Sequence, residues 1–178
     1  MYNYDNISIL EKEGKYLMAI ESLYGAWKSN REESKLLVRL AFECWYALSE
    51  QENLNISDEQ FAKVQSILME LKDYVVDNNV RDTYVLSHLG YMMSMFPYLF
   101  YANDKEDQYV EIEKIGISMM KRAIEIDPTN QIAQLFKMGS ESASKSYNKL
   151  RKQLKPQIER EYSGDSCFDE YFRDVLTL

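Results

Sequence analysis

The side chains that most often carry chemistry are sparse in this chain of 178 residues, which has one histidine, two cysteines and six glycines. His88 has Tyr84, Val85, Tyr91 and Met92 as its helical neighbours. No Ser, Cys, Asp or second His stands three or four positions away to complete a catalytic triad or a metal pair. Cys44 and Cys167 are far apart, each inside an apolar helical pattern, and read as reduced core thiols rather than as a disulfide or a nucleophile. Carboxylates occur at helical spacing at Glu11 and Glu13 and at Glu106, Glu111 and Glu113. A di-iron bundle would add a Glu-x-x-His motif, which is missing, so they read as solvated faces. Lys145, Lys149, Arg151, Lys152 and Lys155 offer a contact for an anion, but in acidic surroundings they read as a solvated helix end. With no Gly-rich phosphate loop either, the expectation is a non-enzyme with no metal and no cofactor.

Large apolar groups are the least ordinary feature: 14 Tyr, 7 Phe, 2 Trp and 9 Met. The run YMMSMFPYLFY from Tyr91 to Tyr101 places too many of them around one helix for a single buried stripe. Either that helix is central or one of its faces meets a partner, and Tyr and Met suit contact surfaces because they adapt at low entropic cost. The candidate partner contacts are Tyr84, Tyr91, Tyr98 and Tyr101, together with the acidic Asp104, Glu106, Asp107 and Glu111 that follow.

Charge narrows the partner. Twenty-nine acidic against 21 basic residues leave a net charge of -8, and the acidic excess is concentrated in the first 80 positions. That field repels a bare nucleic-acid backbone and attracts a basic protein. The start lacks a basic n-region and an apolar h-region, so no secretory signal is expected and the location is expected to be cytoplasmic. The most apolar stretch, Leu89 to Ala102, includes Ser94 and Pro97 and is too short to span a bilayer.

The elements that must position these residues are all helical, because apolar residues recur at three and four with no sustained alternation. The pattern predicts a short segment from Ile7 to Leu10 and a helix from Lys15 to about Lys28. A third, opened by Asn30 with Glu33, runs to Ser49. A fourth, with a Ser57 and Gln60 capping box, reaches about Asp77. A fifth begins at Asp82 and extends towards Tyr101, kinked or stopped at Pro97. After a loop over Asn103 to Gln108, a sixth spans about Tyr109 to Ile126. A seventh follows Asn130 and ends before Pro156, and a docked amphipathic helix opens at Ser166. One domain is expected over 1–178, with first hairpins at 6–49, enlarged hairpins at 57–155 and a closing helix at 166–178.

Two stretches resemble the tetratricopeptide repeat. MKRAIEIDPTN, with Ala123 in a tight contact and Asp127-Pro128 ending the helix, is similar to the end of such a unit. YVLSHLGYMM places Leu86, Leu89 and the small Gly90 as its first helix does. EGKYLMAIESLYGAWKSN adds a degenerate second helix through Gly14, Tyr16, Ala19, Leu23 and Ala26, followed by Leu37, Leu40 and Ala41, with Asn30 and Arg31 where the terminal Pro would stand. The resemblance implies stacked antiparallel helical hairpins in a solenoid of about seven or eight helices. A closing helix would shield the last pair and a concave face would bind protein or peptide. A small acidic chain of this kind is also similar to the immunity proteins of bacterial contact-dependent toxin systems. That resemblance implies an acidic, Tyr-rich face that neutralises a basic toxin domain, such as a nuclease, with an adaptor, regulator or secretion chaperone holding a peptide segment as the other reading.

Overall fold

The computed structural model describes residues 2–102, 106–141 and 145–177, apart from the side chains of Glu106, Asp107 and Glu141. Among the described residues the chain is all-α, with nine α-helices, one 3-10 turn and no strand. In chain order these are α1 (Asp5–Lys12), α2 (Tyr16–Ser29), α3 (Ser34–Ser49), α4 (Asp58–Asp77), α5 (Thr83–Met95), the 3-10 turn Pro97–Phe100, α6 (Glu106–Ile126), α7 (Gln131–Glu141), α8 (Lys145–Glu161) and α9 (Cys167–Thr177).

Local chemistry starts several of these helices where the sequence expects. At α4 the Gln60 amide donates to the Ser57 hydroxyl at 3.3 Å while the Ser57 amide donates to the Gln60 side chain at 2.9 Å, completing the capping box. Asp82 accepts from the amides of Tyr84 and Val85 at 2.8 and 3.2 Å. Its other oxygen accepts from the Ser34 hydroxyl at 2.7 Å, which ties the start of α5 to the start of α3. At Asn30 the expectation fails. Its side-chain amide donates to the Glu33 carboxylate at 3.1 Å instead of capping, and α3 begins at Ser34.

Prolines resolve in opposite ways. Phe96 leaves the helical region at φ -132° and ψ 69°, as a residue before proline tends to, and α5 stops rather than kinking. Side chains of α4 take up carbonyls beyond that stop: Gln65 donates to the Tyr101 carbonyl at 3.0 Å and Lys72 to that of Phe100 at 3.3 Å. The helix expected to end before Pro156 is instead two helices, and Pro156 lies inside α8. Pro156 and Lys152, four residues back, are both exposed, so the carbonyl left without a donor faces the solvent side. Helix α6 also starts earlier than expected, at Glu106, inside the stretch read as a loop.

Packing follows a row. Helix α3 lies against α5 and α5 against α7, while α4 packs on α3, α6 on both α5 and α7, and α8 on α7. Helix α5 is buried from Val85 to Met93, so its excess of large apolar groups is explained by a central position. The closest approach is between α5 and α6, where Gly90 and Gly116 meet. A Cβ added to Gly90 would stand 2.6 Å from the Gly116 carbonyl oxygen, and one on Gly116 equally close to that of Gly90. The small residue at Gly90 was legible as a site of close helix packing, whereas its partner Gly116 was not.

Gly90→Ala and Gly116→Ala must each push two backbones apart, and urea unfolding should show a loss of about 2 kcal/mol or more, in the range of overpacking. Gly25, also in a helix but with nothing near its would-be Cβ, provides the contrast: Gly25→Ala should raise stability by roughly 0.5–1 kcal/mol.

Candidate functional site

The face presented by the row α3, α5 and α7 is not open. Helix α9 lies across it with Phe168, Phe172 and Leu176 buried. The Phe172 ring sits 5.6 Å from Phe42 of α3, 4.9 Å from His88 and 5.9 Å from Tyr91 of α5, and 5.5 Å from Phe136 of α7. Burying rings of this size is worth roughly 1.5–3 kcal/mol each. The closing helix therefore covers the row as a whole, not only the last helix pair.

A buried polar cluster fastens α9 there. Arg39 of α3 donates through Nε to Glu43 at 2.9 Å, through one terminal nitrogen to the Ser166 hydroxyl at 2.8 Å, and through the other to Glu11 of α1. Glu11 also accepts from the Cys167 amide at 2.9 Å, at the first turn of α9. Ser166 accepts from the Asp169 amide at 3.1 Å and donates to the Asp169 carboxylate. The guanidinium is 5.3 Å from the Phe168 ring centre. Glu11 and Arg39 are each 6% exposed and Glu43 is fully buried, so Glu11 is not on the solvated face where the sequence placed it. Burial first, and then the neighbouring Glu11, push the Glu43 carboxyl well above its usual range. Two carboxylates beside one guanidinium would leave a net negative charge in the core, and a proton retained on Glu43 removes it. The available signal was Arg39 and Glu43, four apart in a helix whose other positions are mostly apolar.

His88 is 2% exposed, and both of its ring nitrogens are engaged. Nδ1 is 2.8 Å from the Tyr84 carbonyl, which can only accept, so Nδ1 carries the proton. Nε2, 2.8 Å from the Tyr162 hydroxyl, then accepts from it. Burial lowers the His88 pKa to about 4 and keeps the ring neutral. Among the described residues neither ring nitrogen is bonded to a Ser, Thr or Cys side chain. Cys44 is fully buried and Cys167 half-buried, and burial raises both thiols, Cys167 to about 11, so neither offers a thiolate near neutrality. Among the described residues no three His, Cys, Asp or Glu side chains group to hold a metal ion.

The residues expected to contact a partner separate. Tyr91 is 5% exposed beneath α9, its hydroxyl 3.0 Å from that of Tyr171 of α9, and it offers no surface. Tyr84 is half-buried beside His88, their rings 4.1 Å apart. Tyr98 is exposed at the 3-10 turn, with the half-buried Tyr101 at its end and the Phe96 ring 5.9 Å away. Tyr98 also lies close enough to Tyr109 of α6 for that hydroxyl to help raise its own pKa, after burial. Met95, Tyr98, Tyr109 and Val110 are the large apolar residues left uncovered in this part of the fold, and the exposed Glu111 follows them on α6. Asp104 and the side chains of Glu106 and Asp107 lie outside the described residues. On α8, Lys145, Lys149, Lys152 and Lys155 are exposed, and Lys155 is 3.8 Å from Glu159. Among the described residues no helix is long and apolar enough to cross a membrane. Comparison with family models, with curated proteins and with solved structures returns no match.

Breaking the cluster by Arg39→Ala leaves buried carboxylates unpaired and should cost about 3–5 kcal/mol in chemical denaturation. Glu43→Gln keeps the neutral form and should match the parent chain in acid, below the ordinary carboxyl value of about 4.5. The raised Glu43 pKa means that its bound proton stabilises at low pH and is lost as pH rises through the folded value. Stability of the parent chain should therefore fall as pH rises from that ordinary value through the raised folded one, Glu43→Gln should lack this fall and be the more stable above it, and equal slopes would refute the proton on Glu43.

For His88 the sign is opposite. The unfolded state takes up the proton from about pH 6.5 downwards and the folded ring only near 4, so stability should fall by roughly 3 kcal/mol across that window and then level off. His88→Gln should flatten this part of the profile.

Proposed function

We propose that the chain is a non-enzymatic protein-binding module, most concretely an acidic immunity protein that neutralises a basic toxin domain in the cytoplasm. The observation that carries this reading is the uncovered apolar and aromatic group Met95, Tyr98, Tyr109 and Val110 beside Glu111, on a chain of net charge -8. Large apolar side chains left in water supply the contact energy of an interface. A surrounding negative field steers a cationic partner to it and disfavours anionic ones. The row of α3, α5 and α7 with helices packed behind it supports the tetratricopeptide-like arrangement of the hairpins. Occupation of the face of that row by α9 weighs against the alternative, an adaptor or secretion chaperone holding a peptide in that groove. A toxin domain would instead meet the edge formed by the 3-10 turn and the start of α6.

The test pairs the chain with a basic toxin domain encoded by an adjacent gene. Co-expression should relieve the growth arrest that the domain causes alone. Tyr98→Ala with Tyr109→Ala should weaken association of the purified pair by about tenfold or more, as loss of interface anchors does, with far-UV circular dichroism unchanged. Charge reversal at Asp104, Glu106, Asp107 and Glu111 should mainly slow association, and more so at low salt. Growth arrest that persists overturns the toxin reading, and an unchanged affinity in the tyrosine variant overturns the assigned surface.

A further inference from the structure

Beyond protein binding, one cleft has the form of a small-molecule site. It lies between α5, the turn joining α6 to α7, and α8, with a volume of about 320 Å³. That is at the lower end of the range for ligand pockets. The buried His88–Tyr162 pair forms its floor and joins α5 to the end of α8. The wall at α7 is set by Asn130, which accepts from the Ala133 amide at 3.0 Å and donates to the Thr83 hydroxyl at 3.4 Å. A site on such supports is largely preformed.

Its charge is one-sided. Asp127 and Glu161 line the cleft, and among the described residues no lysine or arginine does. His88 adds no positive charge, because its proton sits on Nδ1 and Nε2 accepts. The start of α7 contributes about half a positive charge from its dipole, too little to offset two carboxylates. An anion is therefore disfavoured here despite the helix terminus.

Its hydrogen-bonding capacity is unused. Among the described residues the Tyr84 hydroxyl, the side-chain amides of Gln131 and Gln157 and the Glu161 carboxylate have no hydrogen bond, and Asp127 engages one oxygen, with Thr129 at 2.7 and 3.0 Å. Some surface carboxylates elsewhere are taken up by cations, as in Glu70 with Lys28 and Arg31 or Glu21 with Lys63, whereas among the described residues Asp127 and Glu161 have no ion pair. With only two carboxylates the cleft is a poor seat for a metal ion. A ligand bearing several N–H donors on a methylene chain would satisfy both carboxylates and lay its charge near the Tyr84 and Tyr162 rings.

We infer that this cleft binds a small organic cation of the diamine or polyamine class, through the Asp127 and Glu161 carboxylates and the Tyr84 hydroxyl that line it. The inference is independent of the toxin reading.

Calorimetric titration of the full chain with spermidine and with putrescine tests it. One equivalent should bind, and Glu161→Gln and Asp127→Asn should each weaken the affinity by about tenfold, as loss of one charged partner in a cleft does. Glu161 is exposed and makes no hydrogen bond among the described residues, so Glu161→Gln should leave the fold intact. The side-chain amide resonances of Gln131 and Gln157 should move on binding. Tetramethylammonium, which has the charge without N–H donors, and 1,4-butanediol, which has the length without the charge, should bind at least tenfold more weakly. Undiminished affinity in Glu161→Gln, several equivalents per chain, equal binding of tetramethylammonium, or no heat at about ten millimolar would each overturn the site.

Discussion

One guanidinium buried among three segments of the chain constrains most of this molecule. Arg39 cannot stay in the core uncompensated, because desolvating a charge costs several kcal/mol unless opposite charge and hydrogen bonds replace the lost water. Its partners arrive from Glu11 near the start, Glu43 one turn on, and Ser166 near the end. Satisfying one side chain thus draws α1, α3 and α9 to one point. The geometry that meets this need also places the Cys167 amide on Glu11 and the Phe168 ring against the guanidinium. Ordinary apolar burial then continues from that point: Phe172 and Leu176 extend the contact along the row of α3, α5 and α7.

What α9 covers decides which surfaces remain for partners. Tyr91 beneath it meets Tyr171 of α9, so an aromatic group that would otherwise line an open groove is spent on the fold. The uncovered apolar group lies instead where Pro97 halts α5 and the chain turns, and there Gln65 and Lys72 of α4 hold carbonyls that no helix satisfies. A second consequence is the cleft over His88. The imidazole and Tyr162 close its floor, yet the carboxylates and amides around its rim keep their hydrogen-bonding capacity.

Much of the fold was legible in local sequence because its causes are local. A helix period of three and four, the Ser57 and Gln60 box, the Asp82 cap and the stop at Pro97 involve residues within a few positions of one another, and each acts through backbone groups that any such segment must satisfy. Gly90 was legible for the same reason: a residue without a Cβ between large apolar neighbours marks a close approach, although not what approaches. Pro156 was misread because proline's cost inside a helix depends on whether the freed carbonyl reaches water, which is a matter of burial.

Composition and periodicity alone thus determined an all-helical, acidic chain, its caps at Ser57 and Asp82, and the aromatic wealth of the run from Tyr91 to Tyr101. Only the tertiary structure decided that Glu11 is buried, that Tyr91 is covered, that Glu43 sits where a carboxyl keeps its proton, and that Tyr84, Asp127, Gln157 and Glu161 share a cleft. The reason is distance along the chain. The bonds from Arg39 to Ser166 and from Glu11 to Cys167 bridge 127 and 156 positions, and no local pattern records a contact whose two halves are stabilised only after the helices between them have packed.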